Sequence, residues 1–197
     1  RALAASGQAS AARQALEDLL DALPASASAQ RGRVLAACVG LEHMEGGRPR
    51  TRARLESALE RMTGPPSAEA AGLKLTVAAD CFYRGEFTEM RRWEHAARQD
   101  ALAVEEPELL AVVTALVTGA DYMACALDDA ARAADETARL LAGLGSQQIA
   151  RHLVPLTWFG WTEAHLGRFE DALHHLEQFG DVAQATGQAH LRPFIDV

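Results

Sequence analysis

The sequence is poor in the residues that build β-sheets. Aromatic residues make up 6% of its 197 residues, and valine, isoleucine and threonine are sparse beside alanine, leucine, arginine and glutamate. It has no asparagine and a single lysine, Lys74. No apolar run is long enough to span a bilayer. These deficits argue against a β-rich or membrane-spanning chain and favour an all-α fold.

Cysteine is also scarce. Cys38, Cys81 and Cys125 lie more than 40 residues apart, so they lack the spacing of metal ligands, and their odd number does not indicate a disulfide framework. We expect small hydrophobic residues at packed helical positions in a protein of the reducing cytoplasm. The chain begins at Arg1 without methionine and ends at Val197 in apolar sequence, so we expect an excised piece of a longer protein.

The net charge of −8 is unevenly distributed. Residues 1–65 carry nine arginines and seven acidic residues, whereas residues 66–197 carry ten basic and 20 acidic residues. A phosphate backbone is bound by clustered cations. We therefore expect no direct nucleic-acid binding by this segment.

A motif recurs about every 40 residues and is clearest in L-G-R-F-E-D-A-L at 166–173. A glycine turn is followed by Phe169 and then by a small residue, Ala172. The positions equivalent to Phe169 are 9, 50, 87, 127 and 169, so the spacings are 41, 37, 40 and 42. A period in this range predicts an α-solenoid of helical hairpins.

Apolar residues with helical periodicity predict about nine antiparallel helices in a single domain over 1–197. The predicted repeat units are 1–23, 28–62, 68–103, 106–143 and 147–185, followed by a truncated final helix at 188–197. Within them we expect one helix over 49–62 and another over 147–166.

The turns carry their own predictions. Gly85 and Gly167 should adopt a left-handed conformation, with Cys125 in the glycine position of another unit. The small residues should let the two helices of a hairpin approach closely, except where Met90 stands, and Phe87 and Phe169 should fill the space beside the turn. The small residues are Ala12, Ala53, Ala130 and Ala172.

The segment P-L-T-W-F-G-W-T-E-A-H-L-G-R-F-E-D-A-L-H-H-L at 155–176 resembles a tetratricopeptide repeat. The glycine of that family's first helix falls on Gly160, its turn glycine on Gly167 and its second-helix alanine on Ala172. Leu156 and Glu163 depart from the pattern, because the family favours tryptophan and tyrosine there. The period also exceeds the family's 34 residues.

The longer repeat resembles the helical region of large ATP-dependent LuxR-family regulators of the MalT-like type. A-Q-A-T-G-Q-A-H-L-R-P at 183–193 is similar to a segment of those regulators. The resemblance implies a nucleotide-binding domain before the repeats and a helix-turn-helix after them. ATP is expected only in that upstream domain, because no G-x-x-x-x-G-K-S/T phosphate loop occurs here.

Repeat geometry predicts a concave groove lined by the first helix of each hairpin. It would bind an inducer or a partner helix, although the same residues could instead pack neighbouring units. Trp158 and Phe159 are predicted to be core residues. The predicted groove residues are Phe82, Tyr83, Tyr122, Met123, Trp161 and His165.

An arginine cluster opens the third helix and provides a second candidate surface. It would contact an acidic partner, such as another domain of the same polypeptide, or form a solvated face with Arg52 near Glu56. Its members are Arg48, Arg50, Arg52 and Arg54.

We predict neither a metal site nor catalytic residues. His174 and His175 with Glu177 do not match H-E-x-x-H, and adjacent histidines diverge on a helix. No G-x-S-x-G occurs. The sequence thus favours a non-catalytic regulatory domain of a signal-responsive bacterial transcriptional regulator, which binds other domains, a protein partner or a small inducer. The first alternative is a free-standing tetratricopeptide-type interaction scaffold, and the second is the repeat region of another multidomain signalling protein.

Overall fold

Helices form all the regular structure described in the computed structural model, which covers residues 9–24, 27–44, 52–62 and 64–196. No strand occurs in those ranges, so the predicted all-α helical-repeat fold is confirmed. The helices are α1 (Ala9–Ala22), α2 (Ser28–Met44), α3 (Arg52–Glu60), α4 (Ala68–Tyr83), α5 (Phe87–Val104), α6 (Pro107–Met123), α7 (Leu127–Leu141), α8 (Ser146–Ala150), α9 (Leu153–His165), α10 (Phe169–Ala185) and α11 (Arg192–Ile195), with a 3-10 turn at Ala189–Leu191.

The chain divides into two compact units, residues 1–104 and 105–197, which are described separately. In the first unit α1 packs on α2, α4 packs on α5, and α2 and α3 both contact α4. In the second unit α6 pairs with α7 and α9 with α10, while α6 packs on α9. Packing between first helices of successive hairpins is how a helical repeat buries its apolar stripes.

The core of the second unit follows the predicted periodicity. Its largest fully buried side chains come from the inner stripes of α7 to α10 and from α11. They are Leu141, Ile149, Leu156, Phe159, Phe179 and Ile195.

The hairpin turns share one backbone geometry. At Gly85, Gly167 and Gly187 the φ angles are +71°, +78° and +73°. In the turn at Gly167, the amide of Arg168 donates to Glu163 O and the amide of Gly167 to Ala164 O, which is a Schellman motif. The left-handed conformation predicted for Gly85 and Gly167 is confirmed.

Cys125 adopts the same conformation without being glycine. Its φ is +59°, and the amides of Cys125 and Ala126 donate to Tyr122 O and Asp121 O as in the glycine turns. A Cβ in this region crowds the following carbonyl. Cys125 therefore adopts the left-handed conformation of the glycine turns, although this conformation is unfavourable for a residue with a side chain.

We expect Cys125→Gly to stabilise the second unit by about 1 kcal/mol, because relief of the left-handed strain exceeds the added freedom of the unfolded chain. Urea unfolding followed by circular dichroism measures the change. The reciprocal variant Gly167→Ala should lose a similar free energy, since nothing lies within 4 Å of a Cβ added there and only its φ of +78° is unfavourable. Equal stability of Cys125→Gly and the native chain would contradict the strain.

The predicted helix over 147–166 is wrong, since α8 ends at Ala150 and α9 begins at Leu153. Pro155 explains the break, because its ring clashes with the carbonyl four residues earlier, that of Arg151, and it has no amide to donate. His152 has a non-helical φ of −130° and ψ of 23°. Glu108 bridges to the break, accepting from Arg151 at 2.6 and 2.9 Å and contacting His152 Nε2 at 2.9 Å.

Two packing predictions beside the turns are also wrong. Phe169 is 71% exposed and so does not fill the space beside its turn. Ala53 is exposed on α3, whereas Ala12, Ala130 and Ala172 are buried as expected. The helix predicted over 49–62 spans 52–60 in the described residues.

Candidate functional site

The candidate site is a group of aromatic side chains in the second unit. Trp158 and Trp161 are three residues apart and His165 lies four further on, so helical periodicity places all three on one face of α9. The ring centroids of Trp158 and Trp161 are 5.0 Å apart in an edge-to-face arrangement. Trp158 is 40% exposed, so the prediction that it is a core residue is wrong, whereas Phe159 is fully buried as predicted.

A second helix and the C-terminal segment complete this group. Tyr122, at the end of α6, lies 5.6 Å from His165 between ring centroids. Phe194, on α11, lies 4.4 Å from Trp161 and 6.0 Å from Trp158. These five residues, Tyr122, Trp158, Trp161, His165 and Phe194, are called the aromatic cluster below.

The aromatic cluster contains two polar groups with different surroundings. His165 is exposed, and its Nδ1 donates to Trp161 O at 2.7 Å, which fixes the ring and leaves Nε2 for another partner. Trp161 Nε1 is buried and has no hydrogen-bond partner among the described residues. An indole N–H of this kind normally finds an acceptor when it is buried. The cluster thus has an apolar surface, and its one unused donor is buried inside it.

The six predicted groove residues are distributed over both units. Tyr122, Trp161 and His165 meet in the second unit. Met123, which follows Tyr122 in the sequence, is half-buried. Phe82 and Tyr83 belong to the first unit, where their centroids are 5.4 Å apart and Tyr83 is exposed. Sequence reasoning missed Trp158 and Phe194, although the i, i+3 spacing of the two tryptophans carried the signal.

The two described arginines of the predicted arginine surface, Arg52 and Arg54, have different surroundings. Arg52 Nη1 donates to buried Asp80 at 2.8 Å, and Arg52 Nε donates to Glu56 at 2.8 Å, so the expected proximity of Arg52 and Glu56 is confirmed. Burial opposes the charge of Arg52, but these hydrogen bonds raise its pKa above the ordinary value. Arg54 is exposed, and Arg48 and Arg50 lie outside the described residues.

A buried polar pair lies behind the aromatic cluster. His175 Nδ1 donates to Glu163 Oε2 at 2.7 Å, and Glu163 Oε1 has no hydrogen-bond partner among the described residues. Glu163 is 0% and His175 is 7% exposed. The His175 ring also packs between Phe159 and Phe179, with centroids 5.3 and 6.2 Å away. This pair links α10 to α9, the helix that also carries the two tryptophans.

Sequence reasoning considered both members of this pair and missed their contact. Glu163 stands on the inner stripe of α9, four residues after Phe159, and His175 stands on that of α10, four before Phe179. Two ionisable residues at core positions of paired helices were the available signal, because such groups are buried only with a partner.

The remaining ionisable groups with shifted pKa values are explained by burial or by hydrogen bonds within the fold. Burial raises the pKa values of Cys38 and Cys81, so neither thiol is activated as a nucleophile. Hydrogen bonds from Arg151 and His152 lower the pKa of Glu108 to about 2. Among the described residues no group of three or more histidine, cysteine, aspartate or glutamate side chains is arranged to hold a metal ion.

In the described part of the chain, no helix combines the length and the apolar character needed to cross a bilayer. No protein-family model matches the chain, and no curated protein matches it.

Proposed function

We propose that this chain is a non-catalytic regulatory helical-repeat module and that its aromatic cluster receives a partner segment or an inducer. The observation that carries this proposal is Trp158, which is 40% exposed on the same face of α9 as the half-buried Trp161 and the exposed His165. Aromatic side chains with a few oriented polar groups are the usual composition of a binding site. A partner with an apolar side chain and a polar group within reach of His165 fits this surface.

The sequence resemblance to MalT-like regulators supports a place for this module in a cytoplasmic, signal-responsive transcriptional regulator. There it would transmit an inducer or partner signal to a nucleotide-binding domain. The encoding gene tests this assignment, since it should specify a phosphate loop upstream and a helix-turn-helix downstream. A gene that encodes neither would leave the free-standing interaction scaffold.

Random peptides selected on the purified chain test the binding proposal. Among peptides that compete with one another for one site, Trp158→Ala should weaken binding at least tenfold, about 1.4 kcal/mol, as measured by titration calorimetry. Phe169→Ala is the matched control because Phe169 is an exposed aromatic of the same unit outside the cluster. Urea unfolding should show that the Trp158→Ala variant keeps its stability. Equal loss of binding in the control would refute the assignment of the site.

A further inference from the structure

The first unit contains a cavity that neither the aromatic cluster nor the proposed regulatory role uses. It measures about 840 Å³ and is lined by residues of α1, α2, α3 and α4. Ligand sites typically enclose about 300–1,000 Å³, so the volume suits a small molecule. Ala53, exposed on α3, is one of its lining residues.

Leucine side chains form the apolar part of the cavity. Leu20, Leu35 and Leu73 line it, and each belongs to the buried core of the unit. Met62, half-buried after α3, extends the same surface. A ligand with an aliphatic body would therefore exchange water for hydrocarbon contacts along one wall.

Three guanidinium groups give the cavity its charge. Arg31, Arg54 and Arg61 line it together with one carboxylate, that of Asp21, so the lining carries a balance of +2. The chain as a whole, in contrast, has a net charge of −8. Charge complementarity favours an anionic occupant.

Two of these arginines are positioned by hydrogen bonds. Arg31 Nη1 donates to Leu20 O and Leu23 O at 2.7 and 2.8 Å, at the end of α1. Arg61 Nη1 donates to Ser57 Oγ at 2.6 Å. Each guanidinium has five N–H donors, so both retain donors for a carboxylate or phosphate. Arg54, two helical turns before Arg61, lies exposed on the same wall.

We propose that this cavity binds a small amphiphile, with its carboxylate or phosphate group on Arg54 and Arg61 and its aliphatic body against Leu20, Leu35 and Leu73. The site is independent of the aromatic cluster, because each of its lining residues belongs to the first unit. Failure of peptide binding at the aromatic cluster would leave it unaffected.

Calorimetric titration with decanoate, decyl phosphate and decanol, each kept monomeric, tests both halves of this proposal. We expect the two anions to bind at least tenfold more tightly than decanol, about 1.4 kcal/mol, and raised salt to narrow the difference. Comparison of the two anions distinguishes a carboxylate ligand from a phosphate ligand. Acetate and inorganic phosphate should bind more weakly than their decyl counterparts, because they lack the aliphatic body.

Variants locate the binding. Arg54→Gln with Arg61→Gln should weaken decanoate binding at least tenfold while leaving decanol unchanged. Arg92→Gln is the matched control, since Arg92 is an exposed arginine of the same unit outside the cavity lining. Ala58→Trp, on the cavity wall, should block all three decyl compounds, and circular dichroism checks that the variants remain helical.

Several outcomes would overturn the proposal. Equal binding of decanol and decanoate would show a merely apolar cavity. Binding to anionic phosphatidylglycerol vesicles without binding of monomeric decanoate or decyl phosphate would indicate a membrane surface instead. A dimer by light scattering that Ala58→Trp converts to a monomer would assign the cavity to a second copy of the chain.

Discussion

Replacement of His175 by alanine is expected to destabilise the second unit by about 3–5 kcal/mol, because a buried polar group that loses its partner costs about 1–3 kcal/mol and the cavity left by the ring adds to that cost. The carboxyl of Glu163 is 0% exposed, and His175 Nδ1 at 2.7 Å donates the hydrogen bond to its Oε2. Its other oxygen, Oε1, already lacks a partner among the described residues. Without the imidazole the whole carboxyl group would be buried unpaired, and the ring contacts with Phe159 and Phe179 would be lost as well.

The neighbouring histidine provides the control for this experiment. His174 is exposed one residue earlier on α10, so His174→Ala should change stability by less than about 0.5 kcal/mol. Unfolding by urea is best followed by tryptophan fluorescence in a Trp93→Phe background, because Trp158 and Trp161 then report on the second unit alone. Similar losses in the two histidine variants would show that the Glu163 pair contributes nothing specific.

A double variant separates the pairing from the packing. Glu163→Leu together with His175→Leu removes both polar groups, and such replacements of buried pairs by apolar residues are often neutral or stabilising. The single variant His175→Leu keeps most of the side-chain volume but leaves Glu163 unpaired, so the double variant should be more stable than His175→Leu by at least about 2 kcal/mol. A double variant as unstable as His175→Leu would assign the effect to side-chain packing.

The sequence was sufficient for the fold because the relevant signals are local. The predicted unit over 68–103 matches the outer ends of α4 and α5 to within one residue, and the glycine turns follow from backbone conformation alone. The break between α8 and α9 was also encoded locally, by Pro155, but the strong apolar stripe on both sides favoured one continuous helix. The exposure of Phe169 was harder to predict, because it depends on whether a neighbouring helix packs over this side chain.

The candidate site was only partly predictable, because it depends on contacts between distant residues. Tyr122 and His165 are 43 positions apart in the sequence, and only the stacking of α6 on α9 brings their rings to 5.6 Å. Repeat geometry anticipates that stacking, so these two residues were named. Phe194 enters through the short helix α11, which follows no repeat, and the cavity beside Arg54 arises from how four helices pack.

Gly160→Ala is expected to lower the stability of the second unit, because close packing of α9 on α10 outweighs the higher helix propensity of alanine. A Cβ at Gly160 would lie 2.7 Å from Leu176 Cδ2 and 2.8 Å from Leu176 Cγ, so α9 approaches α10 more closely than alanine allows. Overpacking of this kind costs about 1–3 kcal/mol. We therefore expect Gly160→Ala to lower the free energy of unfolding by that amount, despite the better helix propensity of alanine.

Gly119→Ala is the matched control, because both glycines are in helices of the same unit. A Cβ at Gly119 would meet only Thr162 Oγ1, at an ordinary 3.6 Å. This substitution should therefore stabilise the unit by about 0.5–1 kcal/mol, the propensity gain alone. The same chemical change thus has opposite signs at two helical glycines, which urea unfolding in the Trp93→Phe background can resolve.

Leu176→Ala makes the test specific to the contact. Combined with Gly160→Ala, it removes the clashing side chain, so the double variant should be more stable than the sum of the two single losses by about 1 kcal/mol or more. Strict additivity would place the cost of Gly160→Ala somewhere other than the Leu176 contact. Gly160 occupies the position where tetratricopeptide repeats also carry glycine. A positive coupling would give that resemblance a physical basis in the close approach of α9 and α10, which also brings Glu163 within hydrogen-bond distance of His175.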